Sequence, residues 1–248
     1  SLYRDGSYNP DNLISYAHDR GSKVVLSFQA RSFNDANNLL SKSAARVKAV
    51  SNLLNEVRIH NFDGIENDIE NASGSQRDNM TLFQKELADT FWASNPNYSV
   101  SVDVAITNWN NLFDGPAIKD HANYVLIMAY DVFHYNDAQA GPNAPINGDN
   151  LYWASVTKGI EYWTTTGQIP REKILLGIPY YGYRWPTINN QRLAKTTGIG
   201  SYIHLNQIPS SYNYPRNWDN LWKTPWQAWQ SGSQWYQLLQ QCNPESMI

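Results

Sequence analysis

The nine residues Phe62-Asp63-Gly64-Ile65-Glu66-Asn67-Asp68-Ile69-Glu70 carry the most information in this sequence. Read as a strand, they put Glu66, Asp68 and Glu70 on one face, with Gly64 and Phe62 behind them, because alternate side chains share a face. Ile65 and Ile69 take the opposite face, toward a covering helix. Neighbours on one face are roughly 7 Å apart along such a strand. Three acids facing the interior of a sheet are costly: burial favours the neutral form of each, and each ionised neighbour raises the pKa of the next. Such a row can hold one acid protonated near neutral pH, as a general acid requires. A solvent-facing polar strand end and a divalent-cation site remain open as other uses of the same residues. The glycine in the row and the strict alternation favour catalytic acids at the C-terminal end of a barrel strand.

The flanking sequence repeats a strand–helix rhythm. A helix is expected from Pro10 to Arg20, closed by Gly21, and a buried strand over Lys23 to Phe28. One long helix follows from about Asn34 to His60, with Leu39, Leu40, Val47, Val50, Leu53, Leu54 and Val57 at helical spacing. After the acid row, a helix from Gln76 to Ala93 shows Met80, Phe83, Leu87 and Phe91 on its apolar face. Strands are expected at Tyr98 to Ile106, Tyr124 to Tyr130 and Lys173 to Tyr181, and a helix over Asp149 to Thr165. This order argues for a parallel sheet covered by helices. After Gly182 the rhythm fails, and residues 183–230, rich in Trp, Tyr, Asn, Pro and Gly, read as a small α+β-like insertion with short strands.

Composition narrows the function classes. The 248 residues are 42% hydrophobic and 17% charged, with net charge −3, which excludes intrinsic disorder and gives no basic stripe for nucleic acid. Apolar runs are strand-sized, so no membrane span is expected. The single cysteine, Cys242, excludes an intrachain disulfide and a cysteine-based zinc site. Aromatic residues reach 13%, and flat amphipathic side chains in a weakly charged protein point to sugar rings as ligands, although aromatics serve cores equally well. No leader with a basic, apolar and small-residue pattern opens the sequence.

The acid row resembles the family 18 glycoside hydrolase signature Asp-Gly-x-Asp-x-Asp-x-Glu: Asp63, Gly64, Asp68 and Glu70 match, and Glu66 replaces an Asp conservatively. Met128-Ala129-Tyr130-Asp131 is similar to the family's Met-x-Tyr-Asp, and Leu176-Gly177-Ile178-Pro179-Tyr180-Tyr181-Gly182 to its Leu-Gly-x-Pro-x-Tyr-Gly. The family's Ser-x-Gly-Gly is only partly kept, as Ser27-Phe28-Gln29-Ala30, which implies a reshaped cleft floor.

The resemblance implies a (β/α)8 TIM barrel of which strands three to seven are recognisable and one, two and eight are not, with the 183–230 insertion after strand seven. On that reading residues 1–248 form a single partial barrel domain, expected to be an internal portion of a longer secreted enzyme, poorly stable and weakly active alone. The implied reaction is substrate-assisted and retaining. Glu70 protonates the leaving oxygen, and the substrate's 2-acetamido oxygen attacks the anomeric carbon. Asp68 orients the acetamide N–H and offsets the developing charge, and Glu66 biases Asp68. Tyr130 donates to the acetamide oxygen and Asp131 contacts hydroxyls. Gln29, Met128, Tyr181, Arg184, Trp185 and Trp109 are candidate sugar contacts, with Trp226, His134 and Tyr135 behind them; for His134 a solvated loop position is expected. The expected partner is an N-acetylglucosamine polymer or oligomer, with no cofactor, no metal and a monomeric protein. Chitin is favoured; peptidoglycan and the N-glycan core are alternatives, as is a sugar-binding lectin.

Overall fold

A computed structural model describes residues 9–148, 154–204 and 216–239. The elements run α1 (Asp11–His18), β1 (Leu26–Phe28), α2 (Phe33–Ser41), α3 (Ser43–His60), β2 (Gly64–Asn67), α4 (Arg77–Ser94), β3 (Ser99–Ala105), α5 (Gly115–Ile118), β4 (Tyr124–Met128), α6 (Val156–Thr165) and β5 (Ile174–Gly177). Five further strands follow: β6 (Tyr181–Thr187), β7 (Ser201–His204), β8 (Asn217–Asp219), β9 (Thr224–Ser231) and β10 (Gln234–Leu239). One sheet has the order β1-β2-β3-β4-β5, with β1–β2 and β2–β3 paired in parallel. Among the described residues this sheet does not close on itself. The other, antiparallel, has the order β7-β6-β10-β9-β8. The chain divides into two compact units, the first comprising Ser1–Ile127 and Trp163–Leu175, the second Met128–Tyr162 and Leu176–Ile248.

In the first unit, helices cover β2 and β3 through the residues whose spacing announced it. Met80, Phe83, Leu87 and Phe91 of α4 are fully buried, as are Ile65 of β2 and Val100, Val102 and Val104 of β3. The long helix expected over Asn34–His60 is two helices, broken at Lys42, whose backbone is extended. No proline or glycine marks the break. Arg46 explains it: its guanidinium is buried, donates to the Leu40 carbonyl at 2.6 Å, and grips the Glu86 carboxylate of α4. The end of α2 is thus capped by a side chain from α3. Val47, on the expected apolar stripe, is instead exposed.

The strand of the acid row is also shorter than its pattern. β2 ends at Asn67, which is fully buried among Gln84 (3.0 Å) and Met80 of α4 and accepts a hydrogen bond from Ile69 N at 3.3 Å. That local turn ends the pairing, so Asp68 and Glu70 lie just beyond the strand. Gly64 is needed where it stands, since a Cβ there would meet the Ser99 carbonyl oxygen at 2.0 Å. Asp63, the first acid of the motif, is structural: it accepts from His18 at 2.9 Å and from Val24 N at 2.6 Å, pinning the approach to β1. Trp163 closes this core, donating to the Ala105 carbonyl at 2.9 Å and meeting Phe113 edge-on.

In the second unit, Ile203, Trp229 and Leu238 form the sheet core, with Tyr236 packed against it. The strand expected over Lys173–Tyr181 is split: β5 ends at Gly177, and after Pro179, which has no N–H for a ladder, the chain enters β6 of the other sheet. Gly232, at φ 60, makes the two-residue turn that joins β9 to β10. This antiparallel sheet extends past the expected 183–230 window on both sides and contains no α-helix among its described residues. Residues 149–153 of the expected helix, 205–215 of the insertion, the N-terminal eight residues and Cys242 lie outside the described residues.

Candidate active site

In the parallel sheet, register decides which polar groups meet. Ser27, Glu66 and Ser101 are partners across β1, β2 and β3. Two residues further on, past the last paired residue of β2, Gln29 meets Asp68, and Asp103 is near enough for the Asp68 charge to act on it. Gln29 Nε2 donates to Asp68 Oδ2 at 3.0 Å, and Asp68 N donates to the Phe28 carbonyl at 2.9 Å. Glu66, Asp68 and Glu70 are each half-buried, whereas Asp103 is only 7% exposed. Burial pushes the Asp68 carboxyl up to about 6; the charges of Glu70 and then Glu66 add to the rise, and the hydrogen bond from Gln29 opposes it. Asp103 is held well above the usual carboxylate range, first by burial, then by the charges of Glu66 and Asp68, its hydrogen bond to Glu66 and the charge of Glu70. One oxygen of each, Asp68 Oδ1 and Asp103 Oδ1, is buried without a hydrogen-bond partner.

Asp68 and Asp103 can retain a proton near neutral pH, and each keeps one enclosed oxygen that no neighbouring group satisfies. Among the described residues, no group of three or more His, Cys, Asp or Glu is placed to hold a metal ion. Trp109, 70% exposed, follows β3 on a loop fastened by Asn108 to Phe113 and by Asn110 to the Ala72 carbonyl, next to the segment that leaves Glu70.

The second unit builds a different cluster. Asp131 has a left-handed backbone (φ 55), and its N–H donates to Asn143 Oδ1 at 2.6 Å. Its Oδ1 accepts from two phenols, Tyr181 at 2.6 Å and Tyr183 at 2.7 Å. Both phenols are pushed far up by burial, with Asp131 itself adding to the rise, so they remain donors at any ordinary pH. Tyr130 stands edge-on to Tyr181 at 6.3 Å, and Tyr202 and Tyr135 extend the aromatic group. His134, half-buried on its loop, has its ring 4.2 Å from Tyr135 and 5.6 Å from Tyr183.

One expected sugar contact is overturned. Trp185 is fully buried, with Tyr183 and the Gly200 backbone against its ring, so it has no face for a sugar. Met128 ends β4 and is 8% exposed. Arg184 and Trp226 are half-buried on β6 and β9. The sequence reading missed Asp103 on one side and Tyr183 and Asn143 on the other. The alternation of β3, with Val100, Val102 and Val104 against Ser99, Ser101 and Asp103, was the available signal for Asp103.

Acids gathered at the C-terminal ends of parallel strands occupy the place where α/β barrel enzymes carry their active sites. The chain belongs to the glycosyl hydrolases family 18, whose family model matches residues 5–239. A Bacillus subtilis protein named as a sporulation-specific glycosylase, YdhD, is 31% identical over 150 residues, covering 59% of this chain and 33% of that protein. Human di-N-acetylchitobiase is 28% identical over 192 residues, 74% of this chain and 46% of that enzyme. The chain therefore spans about half or less of the length of these curated relatives. The fold is that of a Trichuris suis chitinase, with a TM-score of 0.87 at 21% identity over 100% of this chain and 73% of that one. No helix among the described residues is long and apolar enough to cross a membrane.

Proposed function

We propose that this chain hydrolyses β-1,4 bonds next to N-acetylglucosamine, with retention and with assistance from the substrate's own acetamido group, most favourably in chitin or chito-oligosaccharides. Family membership supports glycoside hydrolysis of polymers containing N-acetylglucosamine. The observation that carries the finer reading is the state of Asp68: half-buried, pushed up to about 6, with one buried oxygen unpartnered. A carboxyl left unsatisfied in this way gains by turning toward a substrate amide N–H, where Asp68 can orient the acetamide and balance the positive charge that develops as the ring intermediate forms. Glu70 protonates the departing glycosidic oxygen, then takes a proton from the water that opens the intermediate. Glu66 supports Asp68 from the strand below. Tyr130 and Asp131 carry the substrate hydrogen bonds that the family resemblance assigns to them, and Trp109, Gln29, Tyr181 and Arg184 are the remaining candidate sugar contacts. We take strands β1–β5 as the third to seventh strands of the family barrel, and the enzyme as a secreted monomer.

Glu70→Gln tests the reading. It should abolish release of product from chito-oligosaccharides while sugar binding, measured by calorimetry, changes little. Substantial turnover in that variant removes Glu70 as the acid. Parallel digestion of chitin oligomers and purified bacterial sacculi distinguishes chitin from peptidoglycan, and sugar binding with no turnover by the unaltered protein indicates a lectin.

A further inference from the structure

Asp103 belongs to none of the three motifs that carry the family resemblance, and the reaction just described gives it no step. Its position is nonetheless specific. It lies on β3, between Val102 and Val104, whose side chains are fully buried on the helix-covered face. Asp103 takes the other face, two residues past Ser101, the register partner of Glu66. The groups acting on it are Glu66 of β2 and Asp68 and Glu70 just beyond that strand. Glu66 is the hydrogen-bonding neighbour that acts on it, its Oδ1 has no partner, and the residue is more than nine-tenths buried. Ionising such a carboxyl beside three others would place an uncompensated charge in a poorly solvated site. A neutral acid avoids that cost and gains an O–H with which to donate.

We propose that Asp103 is a positioning residue: as a neutral acid it donates a hydrogen bond to Glu66, fixing the carboxylate that stands beneath Asp68. Glu66 is thereby held in one direction, and Asp68 faces the acetamido group of the substrate from a constant electrostatic setting. Asp103 contributes a donor here, not a charge. This inference rests on the hydrolytic reading above for its catalytic consequence, but its structural content stands apart from turnover.

The test compares Asp103→Asn, which keeps shape and a donor, with Asp103→Leu, which keeps bulk and has none. In protein labelled with 13C at Asp and Glu carboxyls, the wild-type Asp103 resonance should hold the protonated position at pH 6, and the Glu66 resonance should be alike in wild type and Asp103→Asn but displaced in Asp103→Leu. In turnover of a chromogenic chito-oligosaccharide, Asp103→Asn should keep kcat within about threefold, while Asp103→Leu loses about 10- to 100-fold in kcat with KM little changed. An ionised Asp103 at pH 6 overturns the proposal, as does equal kcat in the two variants. Should Asp103→Leu not fold, the wild-type Asp103 resonance and the kcat of Asp103→Asn still decide. If the wild-type protein hydrolyses nothing, the functional reading fails, and the carboxyl spectra decide the role of Asp103 by themselves.

Discussion

Replacing Asp68 by Asn should change how stability depends on pH, in a direction the acid cluster fixes. In the folded protein the Asp68 carboxyl is raised from an ordinary 3.8 to about 6, chiefly by burial and then by Glu70 and Glu66. The folded state therefore binds this proton more tightly than the unfolded chain does. The stability Asp68 contributes is fully present below pH 4 and is lost as pH rises through about 6, because ionising the buried carboxyl costs more than ionising it in water. At about 1.4 kcal/mol per pH unit, the whole rise is worth about 3 kcal/mol. Asp68 is only half-buried, so solvent screening reduces this to about 1–2 kcal/mol. Asn carries no such proton. Urea unfolding followed by tryptophan fluorescence at pH 4, 5, 6 and 7 gives the difference in stability between Asp68→Asn and wild type. That difference should move in favour of the variant by about 1–2 kcal/mol between pH 4 and 7, with most of the change between 4 and 6. Contributions from acids outside the cluster cancel in the difference; within it the Asp68 charge raises Asp103, so removing that charge moves the difference in the same direction. A difference that is flat across this range, or that moves toward the wild type, refutes the reasoning about the cluster.

Two other substitutions probe the scaffolds of the two clusters. In Gly64→Ala the new Cβ would lie 2.0 Å from the Ser99 carbonyl oxygen, so β2 and β3 must separate; we expect a loss of about 3 kcal/mol or more in urea unfolding, and an unchanged midpoint would show that the strands yield more easily than this contact allows. Tyr183→Phe removes one of the two phenol donors to Asp131 while leaving the ring packing in place; thermal melting should show a loss of about 1–1.5 kcal/mol, and full wild-type stability would mean that Tyr181 alone satisfies the carboxylate.

The helix-facing stripe of α4 and the valines of β3 were legible because burial on one face of a regular element leaves a period in the sequence. The break at Lys42 left no such mark. It depends on the buried guanidinium of Arg46 reaching the Leu40 carbonyl and on Glu86 of a different helix. Trp185 illustrates the opposite limit: an aromatic after a barrel-type strand reads equally as a sugar platform or as core, and only its enclosure by Tyr183 and Gly200 decides for core. The split between β5 and β6 was half-legible, since Pro179 was visible but the change of sheet was not.

The sequence by itself determined the alternation of Glu66, Asp68 and Glu70 and the three motifs of family 18, because these are properties of residue order along one strand and its end. Tertiary structure adds which buried groups lie beside them. Register between β2 and β3 sets Glu66 opposite Ser101, so Asp103 follows two residues on and acts on Glu66 and Asp68, and the turn at Asn67 ends the strand before Asp68 and Glu70. Protonation depends on distance and burial in three dimensions, and neither is written into the spacing of residues along the chain.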